Sequence, residues 1–570
     1  MIEIKNDIAS AIAEKIKELN SDVTMDISQI ASMLEYPPDS KMGDLALPCF
    51  KMSKTLRMAP VKIAATIAEG FSAPCVARAE AVNGYLNIFL DGQKMSEKVV
   101  CEILERKDKY GAPDLGKGKT VVLDYSSPNV AKPFHIGHLG TTVIGHSIKK
   151  LHEFAGFKCV GINYLGDWGT QFGKLITAYR KWGSEEQIKV GGVDALVELY
   201  VRINNAIAED ASLADEARAE FHKLEEGDEE NLKLWKWFID ISLEEYQKTY
   251  AQLDITFDSY KGESFYTDKM PAQVQRLRDM GLLKIDDGAS IVDLEEYGMP
   301  PCLILKRDGS TLYPTRDIAA AVYRKQTYDF DKAIYVTSAG QSLHFAQWFK
   351  VVELMGYDWY DKLVHVPYGT VSINGEKLAT RTGNVILLRD LFATAIEKVA
   401  GIMEEKNPNL AGKEKIAEEI GVGAVVFYYL SNNRTRDINF VMEDALSFEG
   451  NTGPYVQYTY ARTCSVLSKS QSFDRSAPLT VTVPEEADLV KVLSRFEENV
   501  IDAIDTYEPS VITRYILDVA GAYNRFYHNC SILGAENEQI KNTRLALTEA
   551  AKTVLGNAFG LICLAKTERV

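Results

Sequence analysis

Polar and apolar residues alternate through AVNGYLNIFLD (81–91), the period of a half-buried strand that closes a mixed region of ~110 residues. The turn-rich DLGKGK (114–119) then reads as a boundary. TVVLDYS (120–126) is a short β-branched run and predicts a strand. Past Pro128 and Pro133 the period lengthens. Ile136, Leu139, Val143, Leu151 and Phe154 recur at helical spacing, and KCVGINYLGDWG (158–169) returns to a strand pattern. One strand–helix–strand unit of this kind opens a parallel α/β sheet. From about Trp182 to Phe257 the chain is acidic and helical, which predicts an insertion between two halves of that sheet. Strands return in CLILKRDGSTLY, KAIYVTS and LVHVPYGTVSI, with Asp308-Gly309 and Asn374-Gly375 as hairpin-turn signals. After Leu387 helical patterns dominate, so the C-terminal third should be all-α.

At 570 residues the chain is too long for one core, so several domains are expected. No apolar run approaches the ~18 residues needed to span a bilayer, and the start, MIEIKNDIAS, lacks the apolar stretch of a secretory signal. The eight cysteines are scattered without a C-x-x-C pair. They make no zinc framework, and a reduced, cytoplasmic compartment is expected. The net charge of −16 argues against indiscriminate binding of nucleic acid but leaves room for a selective RNA partner.

Four of the eight histidines (His135, His138, His146, His152) fall within 18 residues. A metal site is the first reading, since His135 and His138 share a helix face. No cysteine is near, however, and the spacing matches no usual zinc pattern. For His146 and His152, further along the helix, a solvated or locally bonded state is expected. The phosphate reading suits His135 and His138 better. They fall in the first turn of a helix after a strand, where unpaired N–H groups and a partial positive charge suit a triphosphate. Gly137 admits close approach to the backbone, and Pro133 fits the helix start. Two imidazoles there can donate to phosphate oxygens as charge builds in a transition state.

HIGH after a strand is the signature of class I aminoacyl-tRNA synthetases and related nucleotidyltransferases. The wider SSPNVAKPFHIGHL, followed by NYLGDWGTQFGKL, resembles the arginyl-tRNA synthetase family. LYPTRDIAAAVYR, EGNTGPYVQYTYAR and YNRFYHNC agree, in the family's order along the chain. The resemblance implies a Rossmann-type α/β catalytic domain over 118–388 with a mostly helical insertion around 182–300. It also implies an α+β N-terminal domain over 1–113 that contacts tRNA, a helical connection over 389–450 and an all-α anticodon-binding bundle over 451–570. The implied activity joins L-arginine to tRNA(Arg) through an arginyl-adenylate, with magnesium-bound ATP as substrate and no zinc, in a monomer free of membrane contact. ATP would be held by Lys132, His135, Gly137, His138 and Lys377, of which the lysines and histidines are catalytic. Arginine would be held by Asp124, Asn129, Tyr313, Asp317 and Gln341. Near the anticodon the resemblance points to Tyr458 and Asn524.

The family's second motif is a KMSKS loop. KMSKT (51–55) is a decoy, because it precedes the histidine motif and lies in a helical stretch. The positional counterpart is KLATRTGN (377–384). There Lys377 matches the first lysine, Thr380 replaces the second, and the resemblance implies that Lys132 supplies the missing cation. Gly140 stands where arginine is usual, Leu378-Ala379 replaces Met-Ser, and Thr382 stands where lysine is common. These departures keep open a catalytically weak synthetase-like RNA-binding or regulatory protein. A small-molecule nucleotidyltransferase would share the histidine motif but would not need the C-terminal helical domain.

Overall fold

The computed structural model describes residues 1–132, 134–377, 386–470, 473–475 and 477–570, with the backbone alone at 40, 376 and 377. The N-terminal unit packs the helix Ile2–Leu19 and its neighbours on a three-stranded antiparallel sheet, ordered Leu45–Pro48, Tyr85–Leu90, Val76–Val82. The alternating stretch 81–91, read as one strand, is the tip of a hairpin. Asn83 and Gly84 take φ of 52° and 84° and reverse the chain, so that Val82 pairs with Tyr85. Salt links tie this unit to the C-terminal helices, as where Lys5 meets Glu498 at 2.8 Å.

Four parallel strands form the central sheet in the order Leu363–Tyr368, Lys332–Ser338, Thr120–Asp124, Lys158–Ile162. The chain moves outward from Thr120–Asp124 to one side, then crosses to the other. The carboxyl end of that strand is thus the switch point at which open α/β sheets bind ligands. The motif helix, Leu139–Phe154, follows this strand and lies close upon it. A Cβ at Gly145 would stand 2.3 Å from Tyr125, so a larger residue would lift the helix off the sheet.

Between the sheet halves come the helices Thr170–Trp182, Glu185–Glu209, Ser212–Glu225 and Glu229–Gln252. A small antiparallel sheet, Leu283–Asp286, Ala289–Val292 and Cys302–Leu305, follows. LVHVPYGTVSI breaks into two strands, Leu363–Tyr368 and Val371–Ile373, which join different sheets. The break falls where Gly369 passes the Arg436 carbonyl with room for no side chain. Asn374 and Gly375, at φ of 48° and 83°, make the expected tight turn to Glu376–Lys377. Beyond residue 387 the elements of the described residues are helices, with Ile438–Phe440 a short strand among them. Among the described residues no helix is long and apolar enough to cross a membrane.

Candidate active site

His135 and His138 stand on a single 3-10 turn, Ile136–His138, ahead of the motif helix rather than within its first α turn. Each ring caps the backbone. His135 Nδ1 accepts from Gly137 N at 3.0 Å, and His138 Nδ1 accepts from His135 N at 3.2 Å. A backbone N–H can only donate, so each neutral ring carries its proton on Nε2. Burial lowers the pKa of both rings, to about 3 for His138, and the Lys132 charge adds to the effect. The pair therefore offers two neutral Nε2–H donors from rings whose centroids are 4.0 Å apart. Gly137 has a local reason beyond ligand access. A Cβ there would stand 2.7 Å from the His135 ring folded over it.

Lys132 is exposed at the mouth of this turn. Pro133 lies outside the described residues. The stretch 134–136 runs against 386–388, with Ile136 N donating to Ile386 O and Leu388 N to Phe134 O. This pairing brings the chain that leaves the second motif alongside the histidines. Lys377 lies on the strand Glu376–Lys377, opposite Ser372. Leu378, Ala379, Thr380 and Thr382 lie outside the described residues. KMSKT sits in the N-terminal unit, where Lys51 pairs with Glu35 at 2.6 Å and Lys54 is exposed.

Gly140 faces the Tyr429 hydroxyl. A Cβ there would lie 2.3 Å from that oxygen and 3.0 Å from the Tyr368 ring. Tyrosine fills the space into which a side chain at 140 would grow, so the departure is a repacking of the site wall.

An acidic cluster gathers at the strand ends. Asp124 closes the first sheet strand, but an internal guanidinium already engages it. Arg324 Nη2 stands 2.8 Å from Asp124 Oδ2, both buried, while Ser127 Oγ donates to Oδ1 at 2.9 Å. Arg324 Nε and Nη2 make no well-directed hydrogen bond. Burial raises the Asp124 pKa, Arg324 opposes this, and the charge of Asp317 adds to the rise. Asp317 accepts from His344 Nε2 at 2.6 Å through Oδ2. Arg316 pairs with Glu263 at 2.7 Å. Burial pushes Glu263 up to about 7, against Arg316, with Asp317 and Asp167 adding to the rise. Asp124, Asp317 and Glu263 thus each face one basic side chain, while burial and the neighbouring acids still raise the pKa of Asp124 and of Glu263, an environment that favours a further cation. Asn129, Tyr313 and Gln341 are exposed nearby in sequence, at the loop before the histidine turn and at two helix starts.

Sequence reasoning missed Arg324, His344, Arg316 and Glu263. Arg324 lies seven residues after Asp317 and His344 three after Gln341, spacings that share a helix face and could have flagged them. Glu263 carries no such signal. The histidines further along are both buried. His146 Nδ1 lies 3.1 Å from Tyr125 Oη, and His152 Nδ1 lies 2.8 Å from Ile148 O, so of the two states expected the bonded one holds. Among the described residues, no group of three or more His, Cys, Asp or Glu is placed to hold a metal ion.

In the C-terminal bundle, Tyr458 and Asn524 come together through Arg462. The guanidinium donates to Asn524 Oδ1 and lies 5.0 Å from the Tyr458 ring and 4.8 Å from that of Tyr527. Asn524 Nδ2 donates to Tyr455 Oη and Thr459 Oγ1, both at 3.0 Å. Tyr460, Tyr523 and Phe526 are core. Tyr458, Arg462 and Tyr527 line a groove of about 1090 Å³.

The chain matches three family models in succession. These are the arginyl tRNA synthetase N terminal domain over 3–90, the catalytic domain of tRNA synthetases class I (R) over 99–442, and the DALR anticodon binding domain over 456–570. It is 47% identical to an arginine–tRNA ligase of Alkaliphilus metalliredigens, covering 98% of this chain and 100% of that one. It is also 47% identical to one of Clostridioides difficile over 100% of both. Among solved structures, an arginyl-tRNA synthetase of Thermus thermophilus superposes with a TM-score of 0.83 at 24% identity, covering 98% and 99% of the two chains, and shows the fold. From one end to the other, the chain belongs to the arginyl-tRNA synthetase family of class I.

Proposed function

We infer that this chain is an arginine–tRNA ligase. It activates L-arginine with magnesium-bound ATP to arginyl-adenylate and pyrophosphate, then passes the arginyl group to the 2′-hydroxyl of the terminal adenosine of tRNA(Arg), leaving AMP. The observation that carries the chemistry is the pair of neutral Nε2–H donors on the turn that follows the first sheet strand, the strand whose carboxyl end carries Asp124. In this reading the arginine carboxylate attacks the α-phosphate, and His135 and His138 donate to phosphate oxygens as charge builds there. Lys132 and Lys377 supply the cations, and Gly137 lets the nucleotide come close to the turn. Asp317 takes the guanidinium through its free oxygen, with His344 holding the other. Tyr313, Gln341 and Asn129 hold the polar end of arginine. Asp124, already engaged by Arg324, sets the potential of the pocket. Tyr458 and Asn524 stand near the anticodon, where aromatic surfaces stack on unpaired bases. Work in the cytoplasm as a monomer, without bound zinc, completes the reading.

Arginine-dependent ATP–pyrophosphate exchange, with and without cognate tRNA, tests it. Exchange that appears with arginine and tRNA together is expected. A chain that binds tRNA but exchanges under neither condition would instead be a synthetase-like binding protein. The intact Lys132, His135, His138, Asp317 and Gln341 speak against that alternative.

A further inference from the structure

The insertion helix Glu229–Gln252 turns one face onto the loop between the first sheet strand and the histidine turn. Ser242, Tyr246 and Tyr250, four residues apart, form a single buried row on that face. Every hydroxyl in the row reaches the loop. Ser242 Oγ accepts from Ala131 N at 3.0 Å, and Tyr246 Oη is shared between the carbonyls of Asn129 and Lys132, 2.8 Å from each.

Tyr250 acts through a relay whose direction the partners fix. Thr142 Oγ1 gives its hydrogen to His138 O at 2.7 Å, so Ser126 Oγ must donate to Thr142 at 2.8 Å. Tyr250 must then donate to Ser126 at 2.7 Å, and its own oxygen accepts from Asn163 Nδ2 at 2.8 Å. The relay runs one way, from the end of the second sheet strand through the insertion helix to the carbonyl of His138.

The loop needs such holding. Ser126, Ser127 and Ala131 take φ of 70°, 41° and 56°, left-handed values that non-glycine residues adopt at a cost and keep only where their surroundings force them. We propose that Ser242, Tyr246 and Tyr250 are positioning residues through which the insertion sets the phosphate donors. Tyr246 sets Lys132, and Tyr250 sets the turn that carries His138. The proposal rests on the reading of Lys132 and His138 as donors to the triphosphate.

Tyr246→Phe keeps the ring against Phe134, centroids 5.4 Å apart, and removes only the hydroxyl. In arginine-dependent exchange with tRNA present, kcat should fall by ~10–100-fold, the scale of a misplaced group, while the arginine KM stays within about twofold. The same change in a Lys132→Ala background should add little, because the cation it orients is gone. Tyr250→Phe should likewise add little to His138→Ala, and Ser242→Ala should follow Tyr246→Phe more weakly. Gln247→Ala, exposed beside the row, should leave exchange unchanged. Full kcat in Tyr246→Phe, or an equal loss in both backgrounds, would overturn the proposal. If Lys132→Ala is severe and Tyr246→Phe silent, only the positioning role falls. If Lys132→Ala costs nothing, the reading of Lys132 falls first and the Tyr246 role with it.

Discussion

A histidine whose Nδ1 caps its own turn has one nitrogen left to offer. For His138 that nitrogen is a protonated Nε2, which ranks three substitutions. His138→Ala should lower kcat for activation by ~10²–10³, the usual loss for one transition-state donor. His138→Asn keeps an acceptor near the cap but reaches no further. His138→Gln places an N–H near the old Nε2 and should retain more kcat than Asn. Equal losses for Gln and Asn would show that Nε2 is not the working atom. Gly140 makes a second residue-scale case. Gly140→Ala should destabilise by ~1–3 kcal/mol through overpacking against the Tyr429 oxygen, 2.3 Å from the new Cβ. Adding Tyr429→Phe removes that oxygen and should recover part of the loss in urea unfolding. If the double variant is no more stable than Gly140→Ala, the hydroxyl is not the obstacle. Single residues were only partly legible in the sequence. HIGH named the donors, but nothing near Asp124 announces that Arg324, two hundred residues on, already holds it. Ion pairs of that separation are made by the fold, and local pattern does not carry them.

Elements read better than residues, because burial writes period into the chain. The four sheet strands lie within the β-branched and apolar runs that predicted them, and the motif helix follows the helical spacing from Leu139 to Phe154. Errors fell where one residue type had two uses. Asn83-Gly84 is a turn signal inside an alternating run, so alternation alone hides the hairpin that pairs Val82 with Tyr85. The 3-10 turn before the motif helix escaped because histidine is not a usual cap. In the C-terminal bundle the facing helices Gly453–Lys469 and Ser510–Asn529 are joined at the exposed end of their contact by Arg462. This guanidinium holds Asn524 and lies beside two rings, so its loss should slacken all three without opening the core. Arg462→Ala should raise the tRNA KM about tenfold, within the ~1–3 kcal/mol assigned to a stacked base. The KM for ATP and arginine should not move. An unchanged tRNA KM would take this cluster out of the RNA surface.

At the scale of the molecule, the motif helix is the seam between sheet and bundle, and its two deep histidines make that seam sensitive to acid. His152 stacks on Tyr507 of the bundle, ring planes 16° apart, and donates from Nδ1 to Ile148 O. Its Nε2 is buried with no hydrogen-bond partner, so a second proton there would be a buried charge without an acceptor. Burial accordingly lowers its pKa from the ordinary 6.5 to about 4, and that of His146 to about 3. The unfolded chain takes up protons first as pH falls below 6.5, so each histidine removes stability on the way down to its folded value. One unit of such a shift is worth about 1.4 kcal/mol. Glu263 works in the opposite sense. Its folded pKa of about 7 lies above the ordinary carboxylate value, so it adds stability as pH falls from 7 toward 4.5. The net curve of the wild-type chain therefore mixes signs, and the test must be differential. His152→Asn offers an N–H for Ile148 O without a titrating ring. Between pH 7.5 and 5.5 the wild type should lose about 1.4 kcal/mol more stability than the variant, read from urea midpoints. The Glu263 contribution is common to both chains and cancels. Parallel losses over that window would mean that His152 either finds a partner for its second proton or reaches water, and the seam would not be the acid-labile part of the fold.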